Sequence, residues 1–281
     1  MNEKSGIILI DKEANMTSFD VCRKVGRAFF TRSVGHTGTL DPNATGLMVV
    51  LVNKATKILP YLQKDSKVYE ATMVFGKQYD TGDIWGNVLA EAEVKTVTEE
   101  EIRNVLNFFE GKQMQTPPMY SAIKINGRKL YEYARNNEEV NVEPREIEVF
   151  SLELLSFDGT SLSFRAHVSS GTYIRTLCED IAKATGNLGA MSALRRTKVG
   201  AYSLEDAYRL PDVSLETPLL PVDAAVGLPV INYANGADIF NGRDITLDTE
   251  IEKVLIRYQG ECVAVYARKE GNVFHCERGL W

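Results

Sequence analysis

The chain has 281 residues, of which 44% are hydrophobic and 25% charged, so its composition excludes a disordered protein and allows a large buried core. Asp and Glu outnumber Lys and Arg by 38 to 32, which gives a formal charge of −6 and excludes a chain that is basic throughout. A local cationic surface remains compatible with this total, because phosphate contacts depend on charges within about 10 Å.

The four cysteines and three histidines are widely spaced, and no CxxC pair occurs. This spacing predicts neither a zinc site nor paired disulfides, and we expect the protein to need no metal and no cofactor. The N-terminal segment has only a short apolar run, residues 7–10. We therefore expect no signal peptide, no membrane span and a cytoplasmic location.

The first predicted elements are a strand and a helix. Residues 6–10 form an apolar run typical of a buried strand. Thr17 followed by Asp20 is a capping-box pattern and predicts a helix that begins there. Arg23 and Arg27 share one stripe of this helix, which is compatible with a solvated face or with phosphate contact.

The middle of the chain predicts a strand followed by a second helix. Residues 67–75 alternate between apolar and polar types, as a half-buried strand does. Thr98 and Glu101 form another capping box, and the helix that they open is expected to end with Gly111 as its C-cap. A strand and an amphipathic helix of this kind suit a mixed domain.

A hairpin and a third helix follow. Residues 147–157 and 162–168 predict two strands joined at Asp158-Gly159. A helix is expected after Gly171, with Gly186 as its stop. Strands thus outnumber helices without regular βαβ alternation, which predicts an α+β fold around a mixed, largely antiparallel sheet. A proline-containing segment places the domain boundary near residue 225, with a small β module over 226–281.

The most informative segment is GHTGTLDPNATG, residues 35–46. Three glycines and an Asp-Pro step in twelve positions are not expected to form a regular element. Pro42 fixes the chain directly after Asp41, so the loop can hold one carboxylate in a set place. A turn with a capping Asp is the alternative interpretation, and the absence of Gly-Lys-Ser/Thr excludes a phosphate-binding P-loop.

GHTGTLDP in this loop resembles the signature of the TruB family of tRNA pseudouridine synthases. Further segments match in the family's order over residues 5–225; they are GIILIDK with MTS, KVY at 67–69, QTPPMYSAIK at 115–124, GTYIRTL at 171–177 and LRR at 194–196. The resemblance implies a pseudouridine synthase-like fold. It also implies isomerisation of a uridine at position 55 in the tRNA T-loop, after the base flips into a pocket.

The resemblance assigns three catalytic residues. Asp41 would be the essential carboxylate, which could attack the base, attack the ribose or remove a ribose proton. Arg175 would pair with Asp41 and keep it ionised. Tyr69 would stack on the target base. From their positions alone, Tyr69 could equally be a core residue and Arg175 a surface cation on the polar face of its helix.

The resemblance also implies substrate-binding residues. Tyr173 and Leu194 would line the pocket, and His36 would enter the RNA loop where the base was. An insertion near residues 112–145 interleaves cations with tyrosines, which suits contact with an RNA backbone. Its candidate RNA-binding residues are Lys124, Arg128 and Lys129, with Arg195, Arg196 and Lys198 extending the cationic surface. Ordinary helix surface is the alternative for this insertion.

Two departures from the family's pattern are visible. Glu13 stands where the family commonly has proline, and the C-terminal module has only a loose version of the RNA-binding PUA pattern. We expect a monomer that binds the tRNA T-arm without an obligate protein partner. Three alternatives remain: a guide-directed pseudouridine synthase of a ribonucleoprotein, a non-catalytic tRNA-binding or tRNA-folding protein, and a carbohydrate hydrolase, for which no second acid motif appears.

Overall fold

The computed structural model describes residues 4–62, 66–136 and 138–281. The chain divides into two compact units. The first unit is drawn from Met1–Pro42, Leu47–Gln63 and Leu204–Trp281, and the second from Asn43–Gly46 and Lys64–Ser203. Within the described ranges, no helix is both long and apolar enough to cross a membrane.

Strands dominate the secondary structure, as the sequence predicts. The strands and helices in chain order are β1 (Gly6–Lys12), α1 (Ser18–Ala28), β2 (Val34–His36), β3 (Thr45–Val52), β4 (Lys67–Phe75), β5 (Lys77–Tyr79), β6 (Val88–Glu91), α2 (Glu99–Phe108), β7 (Gly111–Gln115), β8 (Lys124–Ile125), β9 (Arg128–Lys129), α3 (Leu130–Arg135), β10 (Arg145–Phe157), β11 (Ser161–Val168), α4 (Ile174–Ala184), β12 (Gly189–Val199), β13 (Tyr202–Ser203), β14 (Tyr208–Arg209), α5 (Asp223–Val226), β15 (Val230–Asn232), α6 (Gly236–Phe240), β16 (Ile245–Thr246), β17 (Lys253–Tyr258), β18 (Glu261–Glu270) and β19 (Val273–Gly279).

The N-terminal part of the first unit is built on β1 and on the Leu47–Val52 part of β3. β1 lies between β14 and β3, and it pairs in parallel with β14. β2 pairs antiparallel with β3, so that His36 lies opposite Val50. Both central strands are almost wholly buried, which explains their unbroken apolar sequences.

The C-terminal part of the first unit forms its own five-stranded sheet, in the order β15-β17-β18-β19-β16. β15 and β17 are parallel, and the other neighbours are antiparallel. Its core includes Ile239, Val254, Tyr266 and Phe274, all fully buried. The predicted small C-terminal β module is confirmed.

The second unit contains an antiparallel sheet in the order β12-β4-β11-β10-β7. Thr45 and Gly46 add a short parallel pairing to β12, opposite Arg195 and Arg196. α4 packs against β12 and α2 against β10. The expected mixed, largely antiparallel sheet is therefore confirmed.

Most local predictions are confirmed, and two are wrong in detail. Thr17 and Thr98 cap α1 and α2 with complete capping boxes. Gly111 is not the C-cap of α2, because the helix ends at Phe108 and Gly111 begins β7. The segment 35–46 is only partly irregular, since β2 extends to its second residue and β3 begins at its eleventh.

Candidate active site

The loop that carries Asp41 is anchored on its N-terminal side by the hydroxyl group of Ser18. This hydroxyl donates a hydrogen bond to the carbonyl oxygen of Leu40 (3.0 Å) and accepts one from the Leu40 N–H (2.9 Å). Ser18 and Leu40 are each only 3% exposed, so water cannot easily replace either bond. Because Ser18 is the first residue of α1, the cap at Thr17 fixes its place.

The same loop is anchored on its C-terminal side by Lys12, the last residue of β1. The Lys12 ammonium is fully buried and donates hydrogen bonds to the carbonyl oxygens of Glu13 (3.0 Å) and Pro42 (2.9 Å). A buried ammonium group needs such acceptors, because its desolvation is costly. The backbone is thus held both before and after Asp41, whose side chain is half-buried.

His36 lies at the start of the loop, where it is still part of the β-structure. It is half-buried at the end of β2, and the N–H of Thr37 donates to the carbonyl oxygen of Val49 (3.2 Å). At the other end of the loop, Gly46 has φ +101°, and a Cβ there would lie 2.3 Å from the carbonyl oxygen of Arg196. Only glycine fits this close approach to β12.

Arg175 is buried, which excludes the alternative interpretation of a surface cation on the polar face of α4. It is 5% exposed, and its guanidinium group donates to the carbonyl oxygens of Thr81 (2.7 Å) and Tyr120 (2.7 Å). The planar fork of a guanidinium group can bridge two acceptors in this way, whereas an ammonium group cannot reproduce the geometry. Arg175 therefore joins the start of α4 to the backbone at Thr81 and to the backbone at Tyr120 in the 115–124 segment.

Tyr173, the residue before α4, is held through its backbone by Gln115. The Gln115 side chain accepts a hydrogen bond from the Tyr173 N–H (2.8 Å) and donates one to its carbonyl oxygen (3.1 Å). Gln115 is 5% exposed, so both bonds are protected from water. Two residue pairs thus connect the QTPPMYSAIK segment with the GTYIRTL segment. Tyr120 and Arg175 are 55 residues apart in the chain, and Gln115 and Tyr173 are 58 residues apart.

Tyr69 and Leu194 lie on the same face of two neighbouring strands. Leu194 of β12 pairs with Ala71 of β4, two residues beyond Tyr69 and on the same side of that strand. Arg196 lies directly opposite Tyr69 on this face and is 1% exposed. The prediction that Arg196 belongs to a cationic surface patch is therefore wrong, because its side chain is almost wholly buried.

Glu179 is an acidic group with a raised pKa, one turn after Arg175 on α4. Burial, and then the neighbouring Asp180, raise the pKa of Glu179 to about 7, against the opposing effect of Arg175. Asp83 raises it further. Near neutral pH, the charge beside Arg175 consequently depends on pH.

The predicted RNA-binding cations of the insertion lie on and beside the short β8–β9 hairpin. Lys124 is exposed, while Arg128 and Lys129 are half-buried. The Arg128 guanidinium group donates two hydrogen bonds to the Glu138 carboxylate and lies 4.2 Å from the centre of the Tyr133 ring. Arg128 already has a carboxylate partner, so it must exchange this partner before it can bind a phosphate.

The cysteines and histidines form no cluster in the described part of the chain. All four cysteines are free thiols, and burial raises the pKa of Cys22 to about 11. In residues 4–62, 66–136 and 138–281, no three His, Cys, Asp or Glu side chains are grouped so that they could hold a metal ion.

The structure places the expected site residues in two groups and adds three more. Asp41 and His36 lie in the first unit, while Tyr69, Tyr173, Arg175 and Leu194 lie in the second. Local sequence patterns did not identify Ser18, Lys12 and Gln115 as supports of the site. The available signal was their position inside segments that match the family.

Family models match most of the chain. The N-terminal domain of the TruB family of pseudouridylate synthases matches residues 27–174, and the C-terminal domain of tRNA pseudouridylate synthase B matches residues 175–226. A tRNA pseudouridine synthase B from Mesoplasma florum is 35% identical over 98% of this chain and 98% of its own length. One from Psychrobacter cryohalolentis is 43% identical over 80% of this chain and 66% of its own length.

A solved structure supports the fold. The chain resembles one in the crystal structure of a Cbf5-Nop10-Gar1 complex, with a TM-score of 0.71, 26% identity and coverage of 98% of this chain and 85% of the other. The match extends over nearly all of this chain, so it includes the small C-terminal sheet. With the family models covering residues 27–226, the conclusion is that the chain belongs to the TruB family of pseudouridylate synthases.

Proposed function

We propose that the protein converts a uridine at position 55 in the T-loop of tRNA to pseudouridine, with Asp41 as the essential carboxylate. In this isomerisation the bond from N1 to the ribose C1′ breaks, the base turns, and a bond from C5 to C1′ forms. C5 loses a proton and N1 gains one, so no atom is added overall and no redox step is needed. The observation that carries the proposal is the anchoring of the backbone on both sides of Asp41 by Ser18 and Lys12. A fixed carboxylate lowers the cost of orienting the reacting groups.

Residues of the second unit supply the remaining catalytic and pocket-lining roles in the proposal, and His36 of the first unit contacts the RNA loop. Arg175 keeps the Asp41 carboxylate ionised and oriented, since a buried guanidinium group favours a nearby anion. Tyr69 stacks on the flipped base, and Tyr173 and Leu194 line the pocket. His36 occupies the place that the base leaves in the RNA loop.

The T-arm of tRNA is the proposed partner. Lys124, Arg128 and Lys129 of the 112–145 insertion would follow its phosphates, while residues 1–225 form the catalytic domain and 226–281 a reduced PUA-like module. We propose a monomer that works in the cytoplasm without an obligate protein partner. The relatives named tRNA pseudouridine synthase B support a tRNA substrate.

The guide-directed enzyme is the second candidate. Its support is the similarity to the Cbf5 structure, which was solved as a complex with two other proteins. The identity is 26% for that structure and 35–43% for the two tRNA pseudouridine synthase B relatives, which favours the stand-alone tRNA enzyme. Pseudouridine formed on a tRNA transcript by the purified protein alone would exclude a requirement for a guide.

The test of the proposal is Asp41→Asn in a single-turnover assay on an unmodified tRNA transcript. The amide keeps the size of the side chain but can act neither as nucleophile nor as base, so turnover should fall by at least about a thousandfold. The Kd for tRNA should change little. Asp248→Asn, an exposed change in the C-terminal module, is the matched control and should retain full turnover. Normal binding with turnover within tenfold of wild type would refute the role of Asp41.

A further inference from the structure

A groove lined by arginines and phenylalanines runs along the exposed side of α1 and the turn that follows it. It has a volume of about 1030 Å³, and the whole of its lining belongs to the first unit. We call the exposed side chains that line it, together with the exposed Lys24 next to Arg23 in the chain, the α1 surface; they are Phe19, Arg23, Lys24, Arg27, Phe30 and Arg32. None of these residues has a role in the site described above.

The charge of the α1 surface is opposite to that of the whole chain. The segment 18–34, which contains the α1 surface, has four cations and a single carboxylate, Asp20, whereas the whole chain carries a net charge of −6. Asp20 is engaged by Arg23 (2.7 Å) and by the Thr17 cap. Among the described residues, no carboxylate forms an ion pair with Arg27 or Arg32, and both are exposed. By contrast, residues 229–281 contain eight carboxylates and six cations.

Phe30 occupies a backbone position that glycine normally takes. The Thr31 N–H bonds to the Gly26 carbonyl oxygen (2.8 Å) and the Phe30 N–H to that of Arg27 (3.2 Å), which is the Schellman arrangement at a helix end. Phe30 has φ +50° there, an unfavourable conformation for a bulky residue. Its ring is 73% exposed, as is that of Phe19, so neither ring contributes much to the core. The fold itself therefore does not require an aromatic residue at this turn.

We propose that the α1 surface is a second RNA-binding surface, with Arg27 and Arg32 on backbone phosphates and Phe19 and Phe30 stacked on unpaired bases. Guanidinium groups bind phosphate in a bidentate manner, and exposed aromatic rings are platforms for bases of any sequence. The polyanionic occupant follows from charge complementarity, since the cations surround the rings. The inference rests on the proposed function, because the RNA is the tRNA substrate of that function. The α1 surface would bind this tRNA through residues other than the catalytic ones.

The first test removes together the two cations that have no carboxylate partner among the described residues. Arg27→Gln with Arg32→Gln should weaken tRNA binding roughly tenfold to twentyfold near physiological salt and reduce the salt slope of log Kd by about 1.5 units. The turnover rate at saturating tRNA should be unchanged. Arg103→Gln with Arg243→Gln makes the same change of net charge at two exposed arginines that already have carboxylate partners. Equal losses in both double variants would show a general charge effect and overturn the proposal.

The second test uses Phe30→Gly, which separates binding from folding. Glycine suits φ +50°, so the Tm should stay the same or rise, while the Kd for tRNA should increase at least about fivefold. An unchanged Kd with an unchanged or higher Tm would overturn stacking at this residue. If wild type instead dimerises in sedimentation and the Phe19→Ala/Phe30→Gly variant is monomeric with normal tRNA binding, the surface serves a second copy and the proposal is wrong.

Failure of this inference can be distinguished from failure of the proposed function by measuring pseudouridine on the same tRNA. Pseudouridine formation by wild type, together with normal binding by the Arg27/Arg32 and Phe30 variants, would overturn the α1 surface alone. Absence of pseudouridine in wild type, with weakened binding only in these variants, would reject the proposed function and support the surface.

Discussion

Replacing Ser18 by alanine removes the only side-chain group that holds Leu40 through both of its backbone polar atoms in the described structure. Ser18 and Leu40 are each 3% exposed, so the Leu40 N–H and carbonyl oxygen would lose partners that water cannot readily supply. Each buried group left unsatisfied costs about 1–3 kcal/mol. Since the loop can relax toward solvent, we expect the free energy of unfolding to fall by about 2–4 kcal/mol.

The same substitution should impair catalysis more than binding. Leu40 directly precedes Asp41, and a displacement of about 1 Å in a catalytic group can cost roughly a hundredfold in rate. Ser18 itself is buried and cannot contact RNA. We therefore expect single-turnover pseudouridine formation to slow by one to two orders of magnitude with a Kd for tRNA close to that of wild type.

Urea unfolding and single-turnover kinetics on the same preparations measure both effects. Ser33→Ala is the control, because the Ser33 hydroxyl also bonds to a backbone carbonyl, that of Asn53 (3.3 Å), but in an exposed position. The control should lose under about 1 kcal/mol and keep its turnover rate. If Ser18→Ala behaved like this control in both assays, the anchoring of the Asp41 loop by Ser18 would be refuted.

Two further predictions concern pH and salt. Burial raises the pKa of Glu179 from 4.5 to about 7, so the folded protein binds more protons than the unfolded chain between these values and loses stability as pH rises through this window. Glu179→Gln should reduce this loss in the free energy of unfolding by about 1–2 kcal/mol, after allowance for solvent screening. Urea titrations of wild type and the variant across this pH range measure the effect, and an equal pH dependence in both proteins would contradict the role of burial. Alanine at all three insertion cations should lower the salt slope of tRNA binding by about two units rather than three, because Arg128 must first leave Glu138. The triple variant replaces Lys124, Arg128 and Lys129, and a control variant with the same change of net charge replaces Lys77, Arg103 and Arg165. If the salt slope of the triple variant equalled that of wild type or that of the control, the insertion would not follow the RNA backbone.

Local interactions determined what the sequence by itself could predict. The caps at Thr17 and Thr98 and the hairpin at Asp158 each bring together groups within two to three residues of one another. The alternation of residues 67–75 likewise reports a single strand with one buried face. Such features depend on adjacent residues, so a pattern in the sequence is sufficient to identify them. The family motifs added the identity of the candidate catalytic residues, although not their environment.

The tertiary structure alone decided how those residues are supported. Ser18 meets Leu40 across 22 residues, Lys12 meets Pro42 across 30, and Gln115 meets Tyr173 across 58. The same long-range packing buries Arg196, which was predicted to lie in a cationic surface patch, and Arg175, for which a surface position was the alternative interpretation. Burial of a cation depends on which distant carbonyl groups and strands fold around it, and no local periodicity encodes that arrangement. The family motifs therefore indicate Asp41 and Arg175 as candidate catalytic residues, while packing between distant segments determines how firmly each is held.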